Sequence, residues 1–329
     1  MMKFKNAFSM LELIFVIVIL GIVASVGSSI IVKVYESYII QRAVHNASLK
    51  TELAITQLAN RLVYRIDTSV VARVPGSTGN ATPADIVPLR NILPSQANTH
   101  RTLEWIAYDN DGFSTQGSRV TGVTPAWSGF TDLLHANTDG TNIVSTGSTL
   151  GTETIILANL FPNMVNPAIV FMAENYQDTP VVPIPYDAMC MYGGGAGCIF
   201  PVTLAGNILT FTGVGNRTPG NMVYSEFYQL AGSAYAVVPV QTPANGEDIP
   251  NLGVTVNGTP VWDLTLHYDY QPWEGENHLT NVNNRSILLK KVSVFRFKQE
   301  ENSVRIKICT TESIGTQDVS ICKEKAIIR

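Results

Sequence analysis

The chain has 329 residues, of which 45% are hydrophobic and 15% charged, and its formal net charge at pH 7 is −4. This length suffices for a large buried core, and the low share of charged residues excludes a chain that is disordered throughout. The acidic balance, without a visible basic stripe, argues against a protein that holds nucleic acid by neutralising phosphates. Only one segment is apolar enough to span a bilayer, which excludes a multi-span membrane protein.

The first predicted element is an apolar helix at the N-terminus. Residues 8–26 read FSMLELIFVIVILGIVASV and contain Glu12 as their only charged residue. As a helix this segment is about 28 Å long, close to the hydrocarbon thickness of a membrane. Lys3 and Lys5 precede it, so the positive-inside rule predicts a cytoplasmic N-terminus and a head on the other side of the membrane.

The residues around the start of this helix form a recognisable order. A short basic leader ends in Ala7 and is followed by Phe8, a few apolar or hydroxyl residues, Glu12 and the apolar run. This order resembles the class III leader of type IV pilins and type II secretion pseudopilins. The resemblance implies cleavage by prepilin peptidase between Ala7 and Phe8, N-methylation of Phe8, and pairing of Glu12 with the N-terminus of an incoming subunit. Neither charge is tolerated alone in hydrocarbon, so pairing would set the register of assembly.

Two departures from the family pattern accompany the resemblance. Ala7 stands where glycine is usual, and Ser29 stands where major pilins commonly carry a helix-kinking proline. Two other interpretations of the apolar segment stay open. It could be an ordinary secretory signal cleaved near Ser25-Val26-Gly27, although Glu12 argues against this, or an uncleaved single-span anchor.

The helix is predicted to continue well beyond the membrane segment. No proline occurs before Pro75, and apolar residues recur at short helical spacings, which predicts one helix over residues 9–67. Its first half would lie in lipid or a filament core, and its second half would pack on the head. The stripe comprises Ile31, Val34, Tyr35, Tyr38, Ile39, Leu49, Leu53, Leu58, Leu62 and Ile66.

After Pro75 the sequence is typical of an antiparallel β domain with irregular loops. Turn-forming residues fill 75–100, Asp109–Gly112 is predicted to be a β-turn, and Asn257-Gly258 is a strong hairpin signal. The expected fold class is α+β, a long helix packed on this sheet, as in pilins. The predicted strands are Leu103–Tyr108, Thr154–Leu160, Ala168–Ala173, Ile208–Thr212, Ala234–Val240, Gly253–Val256, Val261–Tyr270, Ser286–Phe297 and Ser303–Cys309.

These elements divide the chain into four parts. We expect a leader peptide (1–7), a transmembrane or filament-core helix half (8–29), an amphipathic helix half (30–67) and a periplasmic β-rich head (68–329). The strands near the C-terminus resemble the closing strands of large minor pilins and of the J-type pseudopilin.

The four cysteines all follow the membrane segment, where a periplasmic head would meet oxidising conditions. Three pairings are possible, and the simplest joins sequence neighbours, Cys190–Cys198 and Cys309–Cys322. The second loop also resembles the disulfide-closed C-terminal loop of many pilins. No C-x-x-C motif is present, so both pairs are interpreted as structural.

No arrangement of residues typical of catalysis is visible. The five histidines are scattered, Gly193–Gly195 lacks the features of a phosphate loop, and an EF-hand at Asp109 is rejected because its ligand positions are not filled. We therefore expect no enzyme, cofactor or metal site. The four tryptophans are interpreted as core residues.

The favoured function is a structural minor pilin or pseudopilin that primes filament assembly or lies near the tip. Its expected partners are other pilin or pseudopilin subunits, prepilin peptidase and the bacterial inner membrane, from which it is extracted into a filament. The alternative is a tip adhesin or receptor-binding module on the same scaffold. The sequence does not distinguish secretion, DNA uptake and surface pili.

Overall fold

A computed structural model describes residues 10–77, 85–114, 124–172, 199–212, 225–240, 255–256, 259–280, 284–314 and 317–328. Its α-helices are α1 (Met10–Leu62), α2 (Asn110–Ser114) and α3 (Leu150–Leu160). Short 3-10 turns cover Asp67–Ser69, Leu89–Asn91, Gln96–Asn98 and Pro272–Glu274. The strands are β1 (Val71–Arg73), β2 (Ile86–Pro88), β3 (Thr102–Tyr108), β4 (Asn142–Val144), β5 (Ala168–Phe171), β6 (Ile199–Ala205), β7 (Ile208–Phe211), β8 (Tyr228–Val240), β9 (Thr255–Val256), β10 (Thr259–Pro260), β11 (Trp262–Tyr270), β12 (Arg285–Glu300), β13 (Ser303–Ile314) and β14 (Gln317–Ile328).

Helix α1 is 53 residues long, about 80 Å at the usual rise per residue. It ends at Leu62, five residues before the predicted end at 67. The reason is pairing with β3: the N–H of Ile66 donates to the carbonyl of Ile106 at 2.8 Å, and Tyr108 donates to Tyr64 at 3.0 Å. Backbone groups used in this way are lost to the helix ladder, so the tertiary contact ends α1.

The head is built on one large antiparallel sheet with the strand order β14-β13-β12-β11-β8-β5-β6-β7-β4, while β3 also pairs with β8, and β1 lies between β3 and β2. The α+β class with a long apolar N-terminal helix is therefore confirmed. Most predicted strands are found with shifted ends, and β9 and β10 pair on either side of the predicted hairpin turn. The turn residues themselves lie outside the described ranges.

Two predictions of local structure are wrong. Residues Thr154–Leu160 are helical, as part of α3, because Leu150, Glu153 and Leu157 together bury one helical face. β-branched residues made this stretch resemble a strand, and burial of the helical face decided otherwise. The predicted β-turn at Asp109–Gly112 is the start of α2, where Asp109 Oδ2 accepts the N–H of Gly112 at 2.8 Å.

The last two strands were only partly anticipated. Strand β13 extends to Ile314, beyond the predicted end at Cys309, and β14 was not predicted. Together they form a hairpin in continuous register from Ser303↔Ile328 to Ile314↔Gln317. Strand β14 carries charged residues on both of its faces, with Asp318 and Glu324 exposed and Lys323 and Lys325 half-buried beside α1, so its local hydrophobicity is low.

The C-terminal part of α1 packs on the hairpin and on neighbouring strands. The buried face of the helix consists of Ala47, Thr51, Ala54, Ile55, Leu58, Ala59 and Leu62. It shares one hydrophobic core with the inward side chains of β13 and β14, including Val304, Ile306, Ile308 and Ile327. The predicted stripe was partly wrong, because Leu53 is 63% exposed and Leu49 is 50% exposed. Alanines on the real contact face let the helix approach the sheet closely.

Candidate functional site

The N-terminal part of α1, up to Val32, displays apolar side chains on almost all of its surface. Residues 10–38 are exposed apart from half-buried Gly27. An 18-residue window here has a mean hydropathy of 2.7 and is 0% buried, and α1 is the one helix in the described ranges that is long and apolar enough to cross a membrane. Such a surface is compatible with a single-pass membrane anchor, because in water it would expose a large contiguous apolar area.

Glu12 lies in the first turn of this helix and is exposed. It is the only charged residue between Met10 and Val32. A carboxylate near a helix N-terminus is favoured by the helix dipole, but inside hydrocarbon it also needs a cationic or hydrogen-bonding partner. Ala7 and Phe8, the predicted processing site, lie outside the described residues.

A second set of contacts holds α1 to the head. Thr51 lies at the centre of the helix face, where its Oγ1 is 3.1 Å from Oγ1 of Thr310 and donates to the carbonyl of Ala47 at 2.7 Å. At the rim, Lys323 faces Glu52 at 3.6 Å. The exposed ion pair contributes little, so apolar burial between α1 and the hairpin provides most of the attachment.

The predicted disulfide Cys309–Cys322 is present. The two residues are directly opposed in the register of β13 and β14, with Cα atoms 4.0 Å apart. Thr310, which contacts the helix, follows Cys309 immediately, so the covalent link reinforces the strands under α1. Cys190 and Cys198, the other predicted pair, lie outside the described residues.

A buried charged network crosses the head, and no local pattern in the sequence predicts it. Arg73 Nε donates to Glu104 Oε2 at 2.8 Å, His278 Nδ1 is 2.7 Å from Glu104 Oε1, and Tyr270 donates to the same oxygen at 3.2 Å. Arg73, Glu104 and His278 are all 0% exposed. Burial alone would raise the pKa of Glu104, but Arg73 and His278 outweigh it and hold that pKa far below its usual value. The partners are up to 174 residues apart, so no local pattern links them.

The neighbouring His267 belongs to the same buried region. Its Nδ1 is 3.0 Å from the carbonyl oxygen of His278. Burial, with repulsion from His278, lowers the pKa of His267 to about 4. His267 is therefore neutral at physiological pH. The network of Arg73, Glu104 and His278 links β1, β3 and the segment after β11 as a structural unit.

A pair of buried carboxyl groups, those of Asp109 and Glu153, lies beneath α2. A Cβ atom placed on Gly112 would collide with the carboxyl groups of both Glu153 and Asp109, so Gly112 leaves the room that these groups occupy. Burial, together with the neighbouring carboxyl groups of Asp109 and Asp111, raises the pKa of Glu153 to about 9. Glu153 is thus protonated at neutral pH. In the described part of the chain no group of acidic, histidine or cysteine residues is arranged to hold a metal ion.

A cleft of about 660 Å³ opens where α1 ends. Its walls come from the end of α1, the ends of β3, α3 and β11, the start of α2, the middle of β8, and Asn284 just before β12. This cleft lies about 75 Å along α1 from Met10, at the end of the helix opposite the apolar surface. The sequence did not predict it, because its walls come from six separate segments.

Comparison with known proteins gave no match to a protein-family model, a curated protein or a solved structure. Family membership and function are therefore proposals that depend on the residues described above.

Proposed function

We propose that the chain is a structural subunit of a type IV filament or type II secretion pseudopilus, namely a minor pilin or pseudopilin. One observation carries this proposal: a single helix has an exposed apolar half with one carboxylate and a second half buried on a β-rich head. An ordinary membrane anchor does not need to continue into the core of the domain that it anchors. A subunit that moves from membrane to filament does, because the apolar half must carry the head with it.

The chemistry of Glu12 supports the same proposal. A carboxylate in the membrane part of a helix costs about 2.5–3.5 kcal/mol on insertion scales unless it is paired. A cationic amine at the start of a neighbouring subunit's helix would remove this cost and fix the axial position of that subunit. Cleavage between Ala7 and Phe8 would generate such an amine, and N-methylation would preserve its charge. The subunit would reside in the inner membrane, with its N-terminus cytoplasmic and its head periplasmic, until extraction.

The N-terminus of the mature protein tests processing. Intact mass and N-terminal sequencing of protein from cells with active prepilin peptidase should show an N-methylated Phe8. A mature N-terminus near Gly27 or Ser28 would mean an ordinary secreted protein, and an intact Met1 would mean an uncleaved anchor. Either result would contradict the proposal.

Incorporation into filaments tests the role of Glu12. Glu12→Ala should be processed normally but incorporated at least about tenfold less than wild type, because the loss of one desolvated charge pair exceeds 1.4 kcal/mol. Glu36→Ala is the matched control, since Glu36 is exposed on the same helix outside the apolar segment. Equal incorporation of the Glu12→Ala and Glu36→Ala variants would contradict charge pairing.

A tip adhesin or receptor-binding module is the second candidate function. The observation in its favour is the cleft of about 660 Å³ at the end of α1 opposite the apolar surface. When the apolar half of α1 is buried in a membrane or a filament, this cleft stays open to solvent. Both candidates use the same scaffold and give the chain no enzymatic role. Specific adhesion of purified protein to a biological surface, lost on changes in the cleft, would support this second function.

A further inference from the structure

We infer that the cleft at the end of α1 is a binding site for a non-acidic saccharide, neutral or amino-substituted. This inference rests on the second proposed function and names the ligand that such a binding module would take. Four features support it: the size of the cleft, the construction of its floor, the chemistry of its walls and its charge.

The size suits a small oligosaccharide. The volume of about 660 Å³ falls in the range of roughly 300–1,000 Å³ that is typical of ligand pockets. An inorganic ion would leave most of this space filled with water. A ligand of one to three sugar rings would fill it and contact several walls at once.

Two irregularities in the sheet meet at the floor of the cleft. The β3–β8 register shifts between Ala107 and Tyr108, and the β11–β8 register shifts between His267 and Tyr270. At the second shift Asp269 adopts a positive φ of 58°, which is uncommon for a residue other than glycine. Such bulges redirect side chains and occur often beside functional sites.

Hydrogen bonds hold Asp269 in this conformation. Its N–H donates to Oγ of Ser233 at 2.9 Å, and its carboxylate accepts from Nδ2 of Asn284 at 3.0 Å. These hydrogen bonds fix the carboxylate in place. Because Asp269 is only half-buried, its carboxylate still reaches the cleft. A fixed acceptor costs less conformational entropy on binding than a mobile surface side chain.

A close contact between the end of α3 and β8 shapes another part of the wall. Phe161, just after α3, lies so near Gly232 that a Cβ atom there would be 2.6 Å from two of its ring carbons. Both residues line the cleft. The ring therefore forms a rigid apolar part of the wall.

The remaining wall residues combine rings with groups that both donate and accept hydrogen bonds. Sugars present apolar C–H faces, and each hydroxyl both donates and accepts a hydrogen bond, so they are complementary to aromatic rings, amides and carboxylates together. The cleft supplies the tyrosine rings of Tyr64, Tyr108, Tyr235 and Tyr268. It supplies the amides of Asn60, Asn110, Asn163 and Asn284.

The charge of the cleft excludes acidic sugars. Asp109, Asp111 and Asp269 line it, and among the lining residues that the structure describes Arg61 is the only cationic one. A carboxylate on the ligand would meet this excess of negative charge and be repelled. A simple amine is less well matched than a saccharide, because it cannot accept hydrogen bonds from the four amides and would be repelled by Arg61.

Binding to an array of neutral, amino and acidic oligosaccharides tests the inference. Full-length processed protein is used in a polyoxyethylene detergent, since glucoside and maltoside detergents would compete for the cleft. We expect binding to a subset of neutral or amino saccharides and no binding to acidic ones. Binding to no saccharide, or to acidic ones only, would overturn the inference. Binding of spermidine without any saccharide would overturn it in favour of an amine site.

Two variants locate the binding. Tyr268→Ala removes a ring that is 37% exposed, and Asp269→Asn removes the carboxylate while keeping a residue type that tolerates positive φ. Each should weaken the affinity for the bound saccharide at least tenfold. The matched controls, Phe227→Ala and Asp318→Asn, alter an exposed ring and an exposed carboxylate away from the cleft and should bind like wild type. Equal affinity of all four variants would place the binding elsewhere and overturn the inference.

Two further readouts separate this inference from the functions on which it rests. Both cleft variants should enter filaments at the wild-type level, because neither touches the apolar helix half. Wild-type protein should also lose adhesion to a biological surface after periodate destroys the glycans of that surface. Adhesion that survives periodate would overturn the saccharide ligand and leave the receptor-binding function standing.

Discussion

Replacing Glu153 with glutamine should stabilise the protein, and more so as pH rises. Glutamine has nearly the shape of a protonated glutamic acid and cannot ionise. In the folded chain Glu153 is completely buried, faces Asp109, and has a pKa of about 9 against an ordinary value of 4.5. The native state therefore keeps a proton on Glu153 that the unfolded state releases above pH 4.5.

The sign and size of the effect follow from proton linkage. A group whose pKa is raised on folding costs stability as pH rises between the unfolded and folded pKa values, here from about 4.5 to about 9. The cost is about 1.4 kcal/mol for each pH unit in this interval. Since pH 7 lies 2.5 pH units above the ordinary pKa of 4.5, Glu153→Gln should be more stable than wild type by up to about 3 kcal/mol at pH 7. Near pH 4.5 the advantage should vanish.

Thermal unfolding of wild type and Glu153→Gln between pH 5 and pH 8 checks this reasoning. For a domain of this size, 1 kcal/mol shifts Tm by about 2–4 °C, so a difference of several degrees is expected at pH 7. Glu324→Gln is the control, because Glu324 is exposed on β14, and its Tm should follow that of wild type. A difference between Glu153→Gln and wild type that stays constant or shrinks with rising pH would refute the assignment of a raised pKa.

Two other changes test the construction of the head. Glu104→Gln should lower the free energy of unfolding by roughly 3–5 kcal/mol at pH 7, because it leaves Arg73 buried without its counter-ion. The control Glu312→Gln breaks the partly exposed pair with Lys291 and should lower it by at most about 1 kcal/mol. Since folding lowers the pKa of Glu104, this difference should shrink as pH falls below about 4.5, and equal losses in denaturant unfolding would contradict the buried network. Removing the disulfide with Cys309→Ser and Cys322→Ser should cost about 3 kcal/mol, given the 13-residue separation, and an unchanged denaturation midpoint would contradict its structural role.

The sequence alone was sufficient for features that local patterns encode. The apolar run and the absence of proline before Pro75 predict α1, since helix propensity and hydrophobicity are properties of the local sequence. Alternating apolar and polar residues predict β11 and β12, because side chains alternate along a strand. The pair Cys309–Cys322 was predicted from proximity in the sequence, which becomes direct opposition within the β13–β14 hairpin.

Tertiary contacts decided the rest, because their partners are remote in sequence. Pairing of Ile66 with Ile106 ended α1 early, and burial of one face made α3 a helix despite its β-branched residues. Arg73, Glu104 and His278 meet only after several strands have assembled, so their burial and pKa values have no local signal. The cleft depends on two bulges and on Gly232 beneath Phe161, which local sequence cannot specify because each results from the way strands and helices pack together.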